Sequence, residues 1–137
     1  MITGINHLTF AVRDLESSLA FYSQVLGLRP VARWDHGAYL QAGSVWLALI
    51  IDENAHSRPH PDYTHTALTV RAEEFSLLET RIRASGALIW QENESEGRSL
   101  YFLDPDGHRL EIHVTGLAER LGTFEKDPPS GWVRFPV

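Results

Sequence analysis

The chain carries the same pattern twice, and that repetition limits what it can fold into. Ile5-Asn6-His7-Leu8-Thr9-Phe10-Ala11-Val12-Arg13 and Tyr63-Thr64-His65-Thr66-Ala67-Leu68-Thr69-Val70-Arg71 hold a histidine at the same place and leave through the same Val-Arg pair. Each segment reads as a strand leading into a helix. Asp14 is a good N-cap for the first helix, Glu16 lies in its positively polarised first turn, and Gly27 ends it. Leu15, Leu19, Tyr22 and Leu26 recur at helical spacing, as do Phe75, Leu78 and Ile82 before Gly86. Three short strands follow each helix, near 28–34, 38–41 and 45–51 and then near 88–91, 99–103 and 109–114. Gly37, Gly43 and Asp104-Pro105-Asp106-Gly107 mark turns between them. The expected fold is therefore α+β: two βαβββ modules forming a curved sheet around a cavity. Module one covers about 3–51, the linker about 52–62, module two about 63–114 and a C-terminal tail 115–137, in a single domain of 137 residues.

Neighbouring residues of a strand point opposite ways, so alternation assigns the faces. Leu8, Phe10 and Val12 oppose His7, Thr9 and Ala11; Leu110, Ile112 and Val114 oppose Arg109, Glu111 and His113. Val45, Leu47, Leu49 and Ile51 oppose Trp46, Ala48 and Ile50. The aliphatic faces can cover helices. The other faces gather polar and aromatic groups, with Tyr39, Trp46 and Tyr101 among them. Two such sheets facing each other would enclose a polar cavity in which His7, His65 and Glu111 meet. Two imidazoles and a carboxylate can hold a divalent metal and leave positions open for a substrate. Enclosing Glu111 without a positive partner is costly, and Arg109 or Arg120 is the alternative to a metal. His113 shares the face of Glu111 and is a further ligand candidate on spacing. His36, His56, His60 and His108 fall in turns or the linker and read as solvated. Asn93-Glu94-Ser95-Glu96-Gly97-Arg98-Ser99 is a polar loop entering a strand.

Composition removes several classes. The 43% hydrophobic content is that of an ordinary globular protein. A net charge of -6 argues against a nucleic-acid partner, which needs clustered Lys and Arg. Cysteine is absent, so thiolate ligands, disulfides and a cysteine nucleophile are excluded. No apolar run is long enough to cross a bilayer, and residues 1–10 lack a basic-then-apolar signal segment. The expected location is the cytoplasm, with no membrane partner.

The repeated module, the histidine opening each half and Asp104-Pro105-Asp106-Gly107-His108-Arg109-Leu110-Glu111 resemble the vicinal oxygen chelate superfamily, which includes glyoxalases, extradiol dioxygenases, fosfomycin-resistance enzymes and bleomycin-binding proteins. More specific runs are Asn6-His7-Leu8-Thr9, Ala32-Arg33-Trp34-Asp35, Gly37-Ala38-Tyr39-Leu40, Asp62-Tyr63-Thr64-His65 and Ser95-Glu96-Gly97. Together these resemble the FosA-type fosfomycin-resistance glutathione transferases, nearly end to end. The resemblance implies metal-dependent addition of glutathione to the epoxide of fosfomycin. It implies manganese on His7, His65 and Glu111, with zinc and iron left open by ligand type. It makes Thr9 and Tyr39 catalytic candidates, with Tyr39 near the incoming thiol. Thr9, Ser99, Tyr101 and Arg120 become phosphonate contacts, and Trp46 joins the substrate-binding set. Asn93, Ser95, Glu96, Gly97 and Ser99 become a potassium-binding loop, with K+ as activator. It also implies a homodimer with paired modules, so that His7 joins His65 and Glu111 of a second chain.

The chain departs from that pattern where substrate is recognised. Gln91 stands in place of a lysine, Ala48 and Ile50 replace smaller or polar groups on the thiol side, and Thr66 replaces a tyrosine. Arg98 is the nearest candidate to replace the missing charge. Epoxide-hydrolysing relatives use an added glutamate in the first half, and Gly43-Ser44-Val45 offers none, which argues against hydration. The competing functions are a glyoxalase-like isomerase, an extradiol dioxygenase and a non-catalytic drug-binding protein.

Overall fold

The computed structural model describes residues 1–94 and 96–136. The chain runs β1 (His7–Val12), α1 (Leu15–Ala20), β2 (Arg29–Trp34), β3 (Gly37–Ala42), β4 (Val45–Ile51), β5 (Thr66–Thr69), α2 (Phe75–Ala84), β6 (Ile89–Gln91), β7 (Ser99–Leu103), β8 (Arg109–His113) and α3 (Leu117–Lys126). The strands form two four-stranded sheets, β1-β4-β3-β2 and β5-β8-β7-β6. In each sheet the first strand lies parallel to the last strand of its own repeat, and the other pairs are antiparallel. This α+β architecture repeats the expected pattern. It sets His7 beside Trp46 and Ala67 beside Glu111.

The aliphatic faces named by alternation form the core. Leu40, Leu47, Leu49, Phe102, Leu110, Ile112, Val12, Tyr22 and Ile82 are all essentially inaccessible. Each fully buried Val, Leu, Ile or Phe contributes about 1.5–3 kcal/mol relative to exposure. Asp14 caps α1, accepting from the backbone N–H and hydroxyl of Ser17 at 3.2 and 3.0 Å. The helix then widens into a π turn over Phe21–Val25. The wider turn buries Phe21 and Tyr22 side by side, which strict helical spacing does not anticipate.

The turn between β7 and β8 fastens the two repeats together. The Asp104 carboxylate accepts from the backbone N–H groups of Asp106 and His108 at 2.9 and 2.8 Å, and from the Tyr22 hydroxyl at 2.7 Å. Asp106 accepts from the Ser18 hydroxyl at 3.1 Å and from the Arg13 backbone at 3.0 Å. His108 stacks on Phe10, with its Nε2 2.8 Å from the Ala11 carbonyl. The expectation of a solvated His108 is therefore corrected, because its ring lies across the repeat boundary. Gly107 has φ +87, and a Cβ there would meet the Arg58 backbone at 2.7 Å. Only glycine suits both constraints.

The strand β5 is shorter than its repeat partner β1. Ladder pairing of β5 begins at Thr66, so His65 lies just before the strand. The preceding backbone is held instead by the Arg109 guanidinium, which donates to the carbonyls of His60 and Asp62 at 3.0 and 3.2 Å. Among the described residues, no helix is long and apolar enough to cross a membrane.

Burial first, and the charge of Asp104 second, push the Tyr22 phenol well above its ordinary value of 10.0. A raised folded value favours the native state while Tyr22 is protonated in both states. That contribution fades once the unfolded chain begins to lose its proton above about pH 10. Tyr22→Phe should cost about 1–3 kcal/mol at neutral pH by leaving Asp104 short of a donor. It should also flatten the fall in stability above the ordinary tyrosine range. Urea unfolding at several pH values checks both, and an unchanged alkaline slope would refute the assignment.

Candidate metal centre

The second sheet assembles two of the three expected ligands. Glu111 is only 5% exposed at the centre of β8. Its Oε2 lies 3.2 Å from His65 Nε2. Its Oε1 accepts from the Ser99 hydroxyl at 2.6 Å and lies 3.2 Å from His113 Nδ1. Ser99 and His113 are in direct contact, and the Thr115 hydroxyl reaches His113 Nε2 at 2.6 Å. No Lys or Arg pairs with Glu111 among the described residues. Arg109 is spent on the 60–62 backbone and Arg120 on Glu96, its Nε standing 2.8 Å from Glu96 Oε1. A carboxylate this buried needs charge compensation. One oxygen is turned to an imidazole nitrogen and the other is held by side chains, which suits a divalent cation on the His65 side.

Aromatic rings wall this half-site. Tyr101 registers with Glu111, and its ring lies 6.4 Å from that of His65. Trp90 lies 5.2 Å from Tyr101 and 5.9 Å from His65, and Tyr63 lies 5.6 Å from His65. Sequence reading did not single out Trp90. A register shift between Ile89 and Gln91 sets both Trp90 and Gln91 against Tyr101, which defeats a period-two count. The indole N–H donates to the Leu110 carbonyl at 3.2 Å and anchors the wall.

The first sheet carries the rest. His7 is exposed at the start of β1, stacked on Trp46 with centroids 4.1 Å apart. Its Nδ1 lies 2.7 Å from the Asn6 side-chain oxygen, which fixes the proton there and leaves Nε2 with a free lone pair. Tyr39 lies 4.6 Å from Trp46 and 4.7 Å from Trp34. Thr9 is exposed and shares a register row with Ala48 and Tyr39. The trio does not close within one chain. Among the described residues, no three His, Cys, Asp or Glu side chains converge to hold a metal. A hollow of about 960 Å³ between the repeats is lined by aliphatic groups such as Leu8, Leu47, Leu68 and Ile112, and contains none of the trio.

The polar loop stands beside the second half-site. Asn93 Nδ2 donates to the Gly97 carbonyl at 3.0 Å. Glu96 Oε1 is buried and has no aligned hydrogen bond, its contact with Arg120 being ionic. Ser95 lies outside the described residues. Arg98 does not replace the missing lysine. It donates to the Ser76 hydroxyl at 3.0 Å, covers the Phe75 ring at 4.3 Å and lies 3.9 Å from Glu79, all on the α2 side. The row Gln91–Tyr101–Glu111 therefore ends in a neutral amide. Arg120 belongs to the ten-residue helix α3 within the C-terminal tail.

A family model described as Glyoxalase/Bleomycin resistance protein/Dioxygenase superfamily matches residues 4–112. The chain is 48% identical to the glutathione transferase FosA of Serratia marcescens, over 97% of this chain and 96% of that one. It is 37% identical to the metallothiol transferase FosB of Shouchella clausii, over 94% and 92% of the two chains. Among solved structures, it resembles a mutant of the fosfomycin resistance protein FosX from Listeria monocytogenes, complexed with Mn(II) and 1S,2S-dihydroxypropylphosphonic acid. That likeness has a TM-score of 0.79 at 28% identity and covers 90% of this chain and 99% of that one.

Proposed function

Because this chain belongs to the Glyoxalase/Bleomycin resistance protein/Dioxygenase superfamily, we propose that it inactivates fosfomycin by metal-dependent addition of a thiol, with glutathione as that thiol. The observation that carries the reading is Glu111, buried, unpaired with Lys or Arg, and turned through one oxygen toward His65. The 48% identity to a glutathione transferase supports the choice of thiol. A cytoplasmic setting fits that co-substrate.

His7, His65 and Glu111 are the residues that would hold the metal, with manganese the best match to two imidazoles, a carboxylate and anionic substrate oxygens. When bound, such an ion supplies Lewis acidity to the epoxide oxygen as its bond to carbon breaks. The side chains do the positioning. Thr9, Tyr101 and Arg120 bind the phosphonate, and Tyr39 orients the thiol on the opposite side of the ring; Ser99, expected among the phosphonate contacts, has its one hydroxyl proton committed to Glu111. The thiol gives up its proton to solvent, sulfur bonds to carbon as the carbon–oxygen bond opens, and the released alkoxide takes a proton back from solvent, so the adduct is the sum of the two reactants. Trp46 and Trp90 limit water at the reacting centre. Alignment of both reactants and fixed electrostatics supply the expected acceleration. The loop of Asn93, Ser95, Glu96, Gly97 and Ser99 is the proposed potassium site. The buried Glu96 oxygen without an aligned donor supports it. The ligands of one chain do not converge, so the proposed active unit is a homodimer in which His7 of one chain meets His65 and Glu111 of the other.

A second reading keeps the metal and changes the substrate. Gln91 favours it, because a neutral amide ends the row that runs to Glu111. The isomerase and dioxygenase alternatives belong here. Purified protein with manganese, potassium, fosfomycin and glutathione should yield the mass of the combined adduct. No adduct, with intact manganese binding, would move the assignment to another substrate.

Glu111→Ala should abolish manganese affinity and turnover together; unchanged manganese binding would remove Glu111 from the ligand set. A cross-chain centre predicts complementation. His7→Ala and Glu111→Ala chains, each inactive alone, should recover about one quarter of wild-type sites when refolded as an equal mixture, since half the dimers are mixed and each regains one site. No recovery would confine the centre to one chain. Gln91→Lys should raise kcat/KM for fosfomycin about tenfold, equivalent to about 1.4 kcal/mol of transition-state stabilisation. No gain would favour the second reading.

A further inference from the structure

We propose that His113 is a positioning residue for the Glu111 carboxylate, acting through Ser99. The inference rests on the metal reading above and adds to it a directed hydrogen-bond chain running from Thr115 to the carboxylate oxygen that faces away from His65.

Proton bookkeeping fixes the direction of that chain. Ser99 has one hydroxyl proton and gives it to Glu111 Oε1 at 2.6 Å. The Ser99 oxygen must therefore accept at its contact with His113 Nδ1, so the imidazole carries its proton on Nδ1. Nε2 is then an acceptor, and the Thr115 hydroxyl donates to it at 2.6 Å. Both nitrogens of His113 are thus engaged, and neither has a lone pair left for a metal. This removes His113 from the ligand candidates that spacing allows and gives it another task. With Oε1 fixed, Oε2 is aimed at His65 Nε2. Outer hydrogen bonds of this kind set the orientation and basicity of a ligating carboxylate.

The surroundings support a built chain rather than a packed ring. The His113 side chain is 13% exposed, yet its neighbours are polar: Ser99, Thr115, Glu111, and Glu96 with Oε1 4.0 Å from Nε2. Thr115 reaches Nε2 only because residue 97 lacks a side chain. A Cβ on Gly97 would stand 2.6 Å from Thr115 Cγ2, and its φ of +72 already favours glycine. The same glycine belongs to the loop that carries Glu96, so that loop and the carboxylate share one support.

The test is Mn(II) affinity of metal-free protein, read from the electron paramagnetic resonance signal of free Mn(II) during titration, with melting of each metal-free variant as a fold control. His113→Phe keeps the ring and removes both nitrogens, and Ser99→Ala removes the middle link. Each should weaken Mn(II) binding about 10- to 100-fold. Their double variant should be no weaker than either alone, because the links act in series. His113→Asn restores a donor at the Nδ1 position and should recover most of the affinity; His113→Gln reaches the Nε2 side and should not. Wild-type protein that binds no Mn(II) would bring down the metal reading itself. Wild-type binding matched by His113→Phe would overturn this proposal alone. Equal rescue by Asn and Gln would overturn the directed chain. Should His113→Phe fail to fold, Ser99→Ala with wild-type affinity is the overturning result.

Discussion

A carboxylate taken out of water is the constraint around which this molecule is arranged. Glu111 is 5% exposed, in the middle of a sheet, and meets no Lys or Arg among the described residues. Leaving such a group uncompensated costs several kcal/mol. The chain answers with two imidazoles and a hydroxyl, divided between the two oxygens. That division is asymmetric. One oxygen is tied to a chain of donors, and the other faces His65 across an aromatic enclosure. That asymmetry is what the proposed metal role requires, because a ligand oxygen must point in one direction.

The strand that carries Glu111 is aimed by the turn before it. Asp104 and Asp106 are 5% and 4% exposed, and both are saturated with donors from the other repeat or their own backbone. Burial raises the Asp104 carboxyl above its ordinary range, against the lowering effect of His108 and the donors. Retaining two acids there has a structural result: β8 begins at a fixed place relative to the end of β1 and to α1. On the cross-chain reading, β1 and β8 of one chain serve different centres. The turn then holds the half-sites of one subunit in fixed relation to each other.

Much of this was legible in the residues. Period-two alternation placed Glu111, Tyr101, Trp46 and Tyr39 together on the polar faces, and the bounds of β4 and β7 followed from their apolar runs. What escaped did so for local physical reasons. A bulge hides Trp90 from any alternating count. His65 stands outside its ladder because a guanidinium, not a strand, holds the preceding backbone. His108 sits in a turn motif that reads as solvent-facing, yet it lies across the repeat boundary. Strand alternation alone could not say whether the halves of one chain or of two chains close the site, and the cross-chain pairing came only from the family resemblance. The topology is consistent with that pairing: β1 and β5 begin separate sheets, and among the described residues no three ligand side chains converge.

The charges near the site explain why a second cation belongs in the proposed mechanism. A phosphonate and a thiolate are both anionic, and bringing them together needs positive charge beyond that which offsets Glu111. Arg120 reaches the loop from α3, but its guanidinium already stands 2.8 Å from Glu96, so its charge is offset there. Arg98 is turned toward α2 and Arg109 toward the linker. Gln91 adds no charge. A candidate place for a cation is the Glu96 oxygen, which lacks an aligned donor among the described residues. A potassium ion there would take over the neutralising of Glu96 and release the Arg120 charge to the phosphonate. On this argument the activator works by freeing an arginine, not simply by adding its own field.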